Sequence, residues 1–207
     1  MFYKFVYYFI APVIVMPYLR LFNRIEAVGF DRIPAEGAVV MIANHISMWD
    51  PVIMFCLIRR RVNFMAKSEL FSIPVLGTML RLVCVFPVKR DSVDRTALRK
   101  ASQVLEEGSI LVVFPEGQRS RTGELMPFKQ GAALFAHRAE APVIPVMFEN
   151  TPKIFPMSIR KKVRIVCGSP LDLSEFAGKK ADSALLERMT GKFRQSIEGL
   201  QAEAVGA

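Results

Sequence analysis

Seven consecutive apolar or small residues, Gly37-Ala38-Val39-Val40-Met41-Ile42-Ala43, stop abruptly at Asn44-His45-Ile46-Ser47-Met48-Trp49-Asp50-Pro51. A run this short reads as a buried strand, and Asp50-Pro51 reads as a helix N-cap followed by proline in the first turn. Strand, sharp turn and helix are thereby fixed in order, which is the unit of an α/β fold. The same alternation recurs downstream. Strands are expected over 62–66, 83–86, 109–113, 143–148 and 161–167, and an alternating edge strand over 24–28. Helices are expected over 51–57, over 68–82 with an interruption at Pro74, over 92–107 with Gly108 as stop, and over 129–140. Leu185, Leu186, Met189, Phe193, Ile197 and Leu200 form one face of a final helix, with a frayed tail over 203–207. The pattern predicts a single α/β domain with a mixed, mainly parallel sheet flanked by helices, which suits a length of 207 residues.

Two loops carry chemistry-bearing residues. In the first, His45 and Asp50 are five residues apart on a turn that folds back. The Asp50 carboxylate can then hold one imidazole nitrogen and leave the other facing a substrate hydroxyl, the general-base half of a triad whose nucleophile comes from the substrate. The plainer alternative makes Asp50 only a cap and His45 only a structural hydrogen-bonding group. The second loop, Phe114-Pro115-Glu116-Gly117-Gln118-Arg119-Ser120, follows the strand over 109–113 and sets a glutamate and an arginine on a Gly/Pro turn, where α/β proteins keep their functional groups. His137, inside a helical pattern, reads as structural or surface. Trp49 and the apolar stretch 71–82 read as packing by default, and as acyl-tunnel lining by hypothesis.

Together the two loops resemble the motifs of the glycerophospholipid acyltransferase superfamily, most closely the lysophosphatidate acyltransferases. The family's NHxxxxD block is similar to Asn44 through Asp50, and its Lys-x-Glu segment to Lys67-Ser68-Glu69. Its Phe/Pro-rich basic block is similar to Phe86-Pro87-Val88-Lys89-Arg90, its FPEGTRS block to Phe114 through Ser120, and its late VIPV strand to Val143-Ile144-Pro145-Val146. The resemblance implies acyl transfer from a thioester, on coenzyme A or acyl carrier protein, to the free hydroxyl of 1-acyl-sn-glycerol-3-phosphate, with no further cofactor. It implies His45 and Asp50 as the catalytic pair and Lys67, Glu116, Gly117 and Arg119 as acceptor-binding residues, with Lys89 and Arg90 as weaker candidates. Physically, Glu116 is also placed to orient Arg119, whose planar guanidinium suits a phosphate. The chain departs from the pattern at Gln118, where threonine is usual, at Val88-Lys89-Arg90, and at Cys84, where glycine is common.

Charge and composition narrow the partners. Lys and Arg number 28 against 19 Asp and Glu, net +9, alongside 52% hydrophobic residues. That balance fits anionic lipid headgroups or an acidic carrier better than nucleic acid, for which there is no recognition motif or Arg/Gly-rich tail. Two histidines and three scattered cysteines give no metal-ligand spacing, so no metal is expected, and Cys56, Cys84 and Cys167 read as reduced thiols of a cytoplasmic protein.

At the N-terminus, fifteen uncharged residues from Phe5 to Leu19 lie between Lys4 and Arg20. As a helix they extend about 22 Å, short of the roughly 30 Å of bilayer hydrocarbon. Phe2, Tyr3, Phe5, Tyr7, Tyr8, Phe9, Tyr18 and Phe22 give the aromatic density of an interfacial segment, and Pro12 and Pro17 would bend it. The expected division is a monotopic anchor over 1–22, lying in one leaflet on the cytoplasmic face of the cell membrane, and an acyltransferase domain over 23–207. The alternative is a helix packed on the protein's own core. Two other functions compete: the same chemistry on another lysolipid or glycerol 3-phosphate, and a non-catalytic module that binds anionic lipid. A lipase or thioesterase is disfavoured by the lack of a G-x-S-x-G elbow.

Overall fold

The computed structural model describes residues 6–89, 94–154 and 158–205. Its strands are β1 (Asn23–Val28), β2 (Val39–Ala43), β3 (Val62–Lys67), β4 (Val85–Val88), β5 (Ile110–Val113), β6 (Val143–Glu149) and β7 (Ser158–Cys167). They form one sheet in the order β1-β7-β6-β2-β5-β3-β4. The five strands from β6 to β4 are mutually parallel; β7 is antiparallel to β6, and β1 is parallel to β7. The sheet is mixed and mainly parallel, as the sequence pattern predicts, and β1 is the expected edge strand.

β2 lies in the middle, and all five of its residues are fully buried. Successive side chains of a strand point to opposite faces. Val40 and Ile42 enter one core, and Val39, Met41 and Ala43 enter the other. Burial on both faces is why this strand reads as an unbroken apolar run instead of an alternation.

The helices are α1 (Met16–Phe22), α2 (Trp49–Leu57), α3 (Pro74–Leu82), α4 (Arg95–Glu106), α5 (Gly131–Ala139) and α6 (Ser183–Val205). Ile53 and Met54 of α2 and Leu19 of α1 pack with Val39, Met41 and Val62 on one face. Ala97, Ala101, Val104 and Leu105 of α4, with α5 and α6, pack on the other. Right-handed crossovers explain this division, since the chain moves one way across the sheet from β2 to β3 to β4 and returns through β5 to β6. The β3-to-β4 crossover carries α3, which therefore lies on the α2 side.

Several elements differ from the sequence reading for identifiable reasons. The stretch 68–82 is not one helix but a 3-10 turn (Ser68–Ser72) followed by α3, because Pro74 supplies no N–H to continue the turn. The stretch is also not core, since Leu70, Ile73, Val75, Leu76 and Met79 are exposed. Cys84 sits at φ +62°, a left-handed position that favours glycine, so its departure from the family pattern belongs to the α3–β4 turn. α4 starts at Arg95, where the Asp94 carboxylate accepts the N–H groups of Thr96 and Ala97 (both 3.0 Å). α6 runs to Val205, so the expected fraying over 203–205 does not occur.

The N-terminal residues form a π-helical segment (Val6–Val15) that runs into α1. Ala11, Met16 and Leu19 are buried against the domain, while Phe9, Val13, Ile14, Tyr18 and Leu21 are exposed. Among the described residues no helix is long and apolar enough to cross a membrane.

Candidate active site

Because β2, β5, β3 and β4 are parallel neighbours, their C-terminal ends open on one edge of the sheet. His45 follows β2, the Phe114–Ser120 loop follows β5, Lys67 ends β3 and Lys89 follows β4. Ligands of open α/β sheets bind at this kind of edge. At about 4.8 Å per strand, Lys67 stands roughly 10 Å across the sheet from the β2 exit, and Lys89 roughly 15 Å.

His45 and Asp50 meet as expected: Nδ1 lies 2.8 Å from Asp50 Oδ2. Asp50 is fully buried, whereas 15% of the His45 side chain is exposed. The helix start differs from the sequence reading. Met48, not Asp50, is the N-cap, and Asp50 lies inside the first turn. Its carboxylate reaches back over the turn, where Oδ2 also accepts the N–H groups of Ile46 (2.8 Å) and Ser47 (2.7 Å). Oδ1 accepts the hydroxyl of Thr151 (2.5 Å), itself fully buried. Four donors thus hold one carboxylate in a single position. The His45 ring stacks on Phe114, with centroids 4.2 Å apart and planes inclined by 23°.

The second loop locks the first. Glu116 is almost wholly buried; its Oε1 accepts the His45 N–H (2.7 Å) and its Oε2 the Met126 N–H (3.0 Å). Ser120 N–H donates to the His45 carbonyl (2.7 Å). His45 is therefore held by its backbone on both sides and by its ring. Burial pushes the Glu116 carboxyl above the ordinary carboxylate range, against the lowering effect of the two N–H donors. With both oxygens engaged by backbone, Glu116 does not orient Arg119 as the sequence reading had it. Gly117 takes φ +72°, and a Cβ there would lie 3.1 Å from Lys129 Cε, so the glycine permits both the turn and the overlying lysine.

Arg119, Lys67 and Lys89 share the edge without touching the pair. Arg119 is exposed and has no partner among the described residues. Lys67 is exposed and paired with Glu69 at 2.9 Å, a hydrogen bond that pulls the Glu69 carboxyl down to about 2. Lys89 is exposed, and its N–H donates to Asp94. Arg90 lies outside the described residues. His137 sits away from this edge, with Nε2 2.8 Å from the Lys179 carbonyl.

Sequence reasoning missed two contributors. Asn44 donates its side-chain amide to the Phe148 carbonyl (2.9 Å) and accepts the Phe148 N–H (2.7 Å), so its side chain continues the β2–β6 ladder as the backbone turns away. An asparagine directly before the histidine was the visible signal, because a primary amide offers both a donor and an acceptor. Thr151 had no such signal: it is 101 residues from Asp50 and follows β6 in a short 3-10 turn.

Apart from Thr151, this site lies within residues 24–149, which match the family model for the acyltransferase domain. The match covers more than half of the chain, and the protein belongs to the acyltransferase family: it is an enzyme of acyl transfer. Among its relatives is the 1-acyl-sn-glycerol-3-phosphate acyltransferase of Bacillus subtilis, 28% identical over 88% of this chain and 91% of that one. The enzyme of the same name from Streptococcus pneumoniae is 29% identical over 84% of this chain, which spans 64% of its length. In three dimensions the chain is similar to the 1-acyl-sn-glycerophosphate acyltransferase PlsC of Thermotoga maritima. That comparison gives a TM-score of 0.70 and 25% identity over 97% of this chain and 82% of that one.

Proposed function

We propose that this protein transfers a fatty acyl group from an acyl thioester to the free hydroxyl of 1-acyl-sn-glycerol-3-phosphate, giving phosphatidate. The observation that carries the reading is the buried Asp50 carboxylate fixed on Nδ1 of a partly exposed His45. An acceptor bonded at Nδ1 selects the tautomer with its proton there, leaving Nε2 basic and turned to substrate. Nε2 takes the proton of the acceptor hydroxyl as its oxygen attacks the thioester carbon. Collapse of the tetrahedral intermediate breaks the C–S bond, and the imidazolium returns the proton to the leaving thiolate. Asp50 stabilises the imidazolium between these steps, and no acyl-enzyme is needed.

Arg119 is the phosphate ligand in this reading, since it is exposed on the correct edge and carries no carboxylate partner. Lys67 adds a point charge further along the edge, with Lys89 and Arg90 as weaker contributors. Glu116 and Gly117 serve the acceptor by holding the loop that bears Arg119. The donor is the thioester of coenzyme A or of acyl carrier protein. Residues 1–22 form the membrane-associated segment and 23–207 the catalytic unit. The outward Phe9, Val13, Ile14, Tyr18 and Leu21 enter one leaflet at the cytoplasmic face, while Met16 and Leu19 tie the segment to the domain.

The test is conversion of labelled lysophosphatidate and acyl thioester to phosphatidate in detergent micelles, with coenzyme A and carrier protein tried as donors in turn. Phosphatidate formed in step with thioester consumption is expected. Thiol release without phosphatidate would overturn the acceptor assignment.

A further inference from the structure

The two faces of the sheet carry helices of opposite character. On one, α4 exposes Arg95 and Arg99, and α6 exposes Arg188 and Glu198 in ion pairs with Glu175 and Arg194, a surface suited to water. On the other, α2 carries no charged side chain outward, because its one carboxylate, Asp50, is wholly buried. Its residues Val52, Phe55 and Cys56 are partly buried, and the N-terminal segment packs on this helix. α3, on the same face, leaves Val75 73% and Met79 59% exposed, with Ile73, Leu76 and the neighbouring Leu70 also in the open. α3 buries only Gly77, whose missing side chain lets the helix press on the Phe71 carbonyl, where a Cβ would come within 2.3 Å.

Contiguous exposed apolar surface of this kind marks a binding face. From it we infer a second membrane-contacting element: α3 and the turn before it dock on an anionic leaflet, so that the domain lies on the bilayer by this face as well as by its N-terminal segment. The inference rests on the lipid-acceptor reading above. Charge supports a leaflet as occupant. The only carboxylate between Ser68 and Leu82 is Glu69, already paired with Lys67, while Arg81 is exposed at the far end and Arg59 beyond α2. Continuity supports it too, because the outward apolar side chains of the π-helical segment and α1 belong to the same face of the sheet. Position gives it a function. The Ser68–Ser72 turn starts where β3 ends, on the edge that holds His45, and Met48 in the His45–Asp50 turn is 69% exposed. A lysolipid in the leaflet then reaches His45 by lateral movement along α3, without its acyl chain crossing water.

The test compares wild type with Val75→Glu/Met79→Glu, with Arg99→Glu, and with Leu21→Glu. The first two variants change net charge equally on opposite faces, and all these positions are exposed, so folding is retained. Partition onto vesicles of phosphatidylglycerol and phosphatidylcholine is expected to fall about tenfold or more for the α3 variant and no more than about threefold for Arg99→Glu. Activity of the α3 variant on vesicle-borne lysophosphatidate should fall in parallel. Its activity on a short-chain lysophosphatidate dissolved as monomers should stay within about twofold of wild type. Unchanged partition of the α3 variant, with Leu21→Glu reduced, overturns the α3 inference and leaves the anchor standing; unchanged partition of both overturns membrane docking itself. Equal loss on the monomeric acceptor would make the patch part of the substrate site. A wild-type dimer in detergent that the α3 substitutions dissociate, without change in partition, would make it a contact between copies.

Discussion

Replacing Asp50 by asparagine separates two things that a carboxylate does for a histidine, fixing its tautomer and stabilising its positive charge. An amide can place either its oxygen or its NH2 at the Oδ2 position. There it meets the N–H groups of Ile46 at 2.8 Å and Ser47 at 2.7 Å as well as His45 Nδ1. An NH2 facing them would orphan two backbone donors at about 1–3 kcal/mol each, so the oxygen stays and the tautomer is kept. The NH2 then points to the Thr151 hydroxyl, which rotates to accept it. What is lost is the charge. Opposite unit charges about 4 Å apart attract by about 4 kcal/mol at an effective dielectric of 20, and about half of that applies if proton transfer is half complete in the transition state. A loss near 2 kcal/mol is about 30-fold in kcat. In Ser-His-Asp enzymes the same substitution selects the wrong tautomer and costs about 10⁴. The assay is kcat at saturating donor and acceptor, with circular dichroism to confirm the fold. A fall of 10⁴ in a folded variant would refute the argument that backbone donors fix the amide, and unchanged kcat would refute a role for the charge.

Arg119→Ala should raise KM for the phosphate-bearing acceptor at least tenfold and leave KM for the thioester within about twofold; an unchanged acceptor KM removes Arg119 from the phosphate site. Asn44→Leu strands the buried N–H and carbonyl of Phe148 and should lower stability by about 2–4 kcal/mol in urea titration, whereas a loss under 1 kcal/mol would show that the ladder closes without it. Glu116→Gln can satisfy only one of the two N–H groups that the carboxylate accepts, so kcat should fall more than acceptor KM rises; a change confined to KM would return Glu116 to direct acceptor binding. Burial raises the thiols of Cys56 and Cys167 to about 12, which keeps them protonated at pH 8, and both should resist iodoacetamide in the folded protein and react after denaturation, as checked by mass spectrometry.

The fold was legible in the sequence wherever burial on both sides of the sheet wrote an unbroken apolar run, as in Val39–Ala43, and wherever helix periodicity had room to repeat, as in Arg95–Glu106. It was misread at 68–82, because a short apolar helix looks the same whether its face meets a core or the outside, and only topology places α3 where little covers it. The His45–Asp50 pair was legible because both members lie on one turn. How that carboxylate is held was less so: the fold-back onto Ile46 and Ser47 competes with helix capping for the same residue, and spacing does not decide between them. Thr151 was invisible, because β6 and its following turn bring it across 101 residues to Asp50. Glu116 was legible only in part: a charged residue in a functional loop suggests a ligand contact, and spacing gives no sign that its two oxygens also accept the backbone N–H groups of His45 and Met126.

The most direct test of the account is acyl transfer to lysophosphatidate by wild type and His45→Ala, side by side in one micelle assay. His45 is partly exposed and outside the apolar core, so the alanine variant should keep the wild-type circular dichroism spectrum. General-base help of about 10² to 10⁴ should disappear, leaving at most about 1% of the phosphatidate formed by wild type. A folded variant that retains more than about a tenth of wild-type activity would contradict the account at its centre.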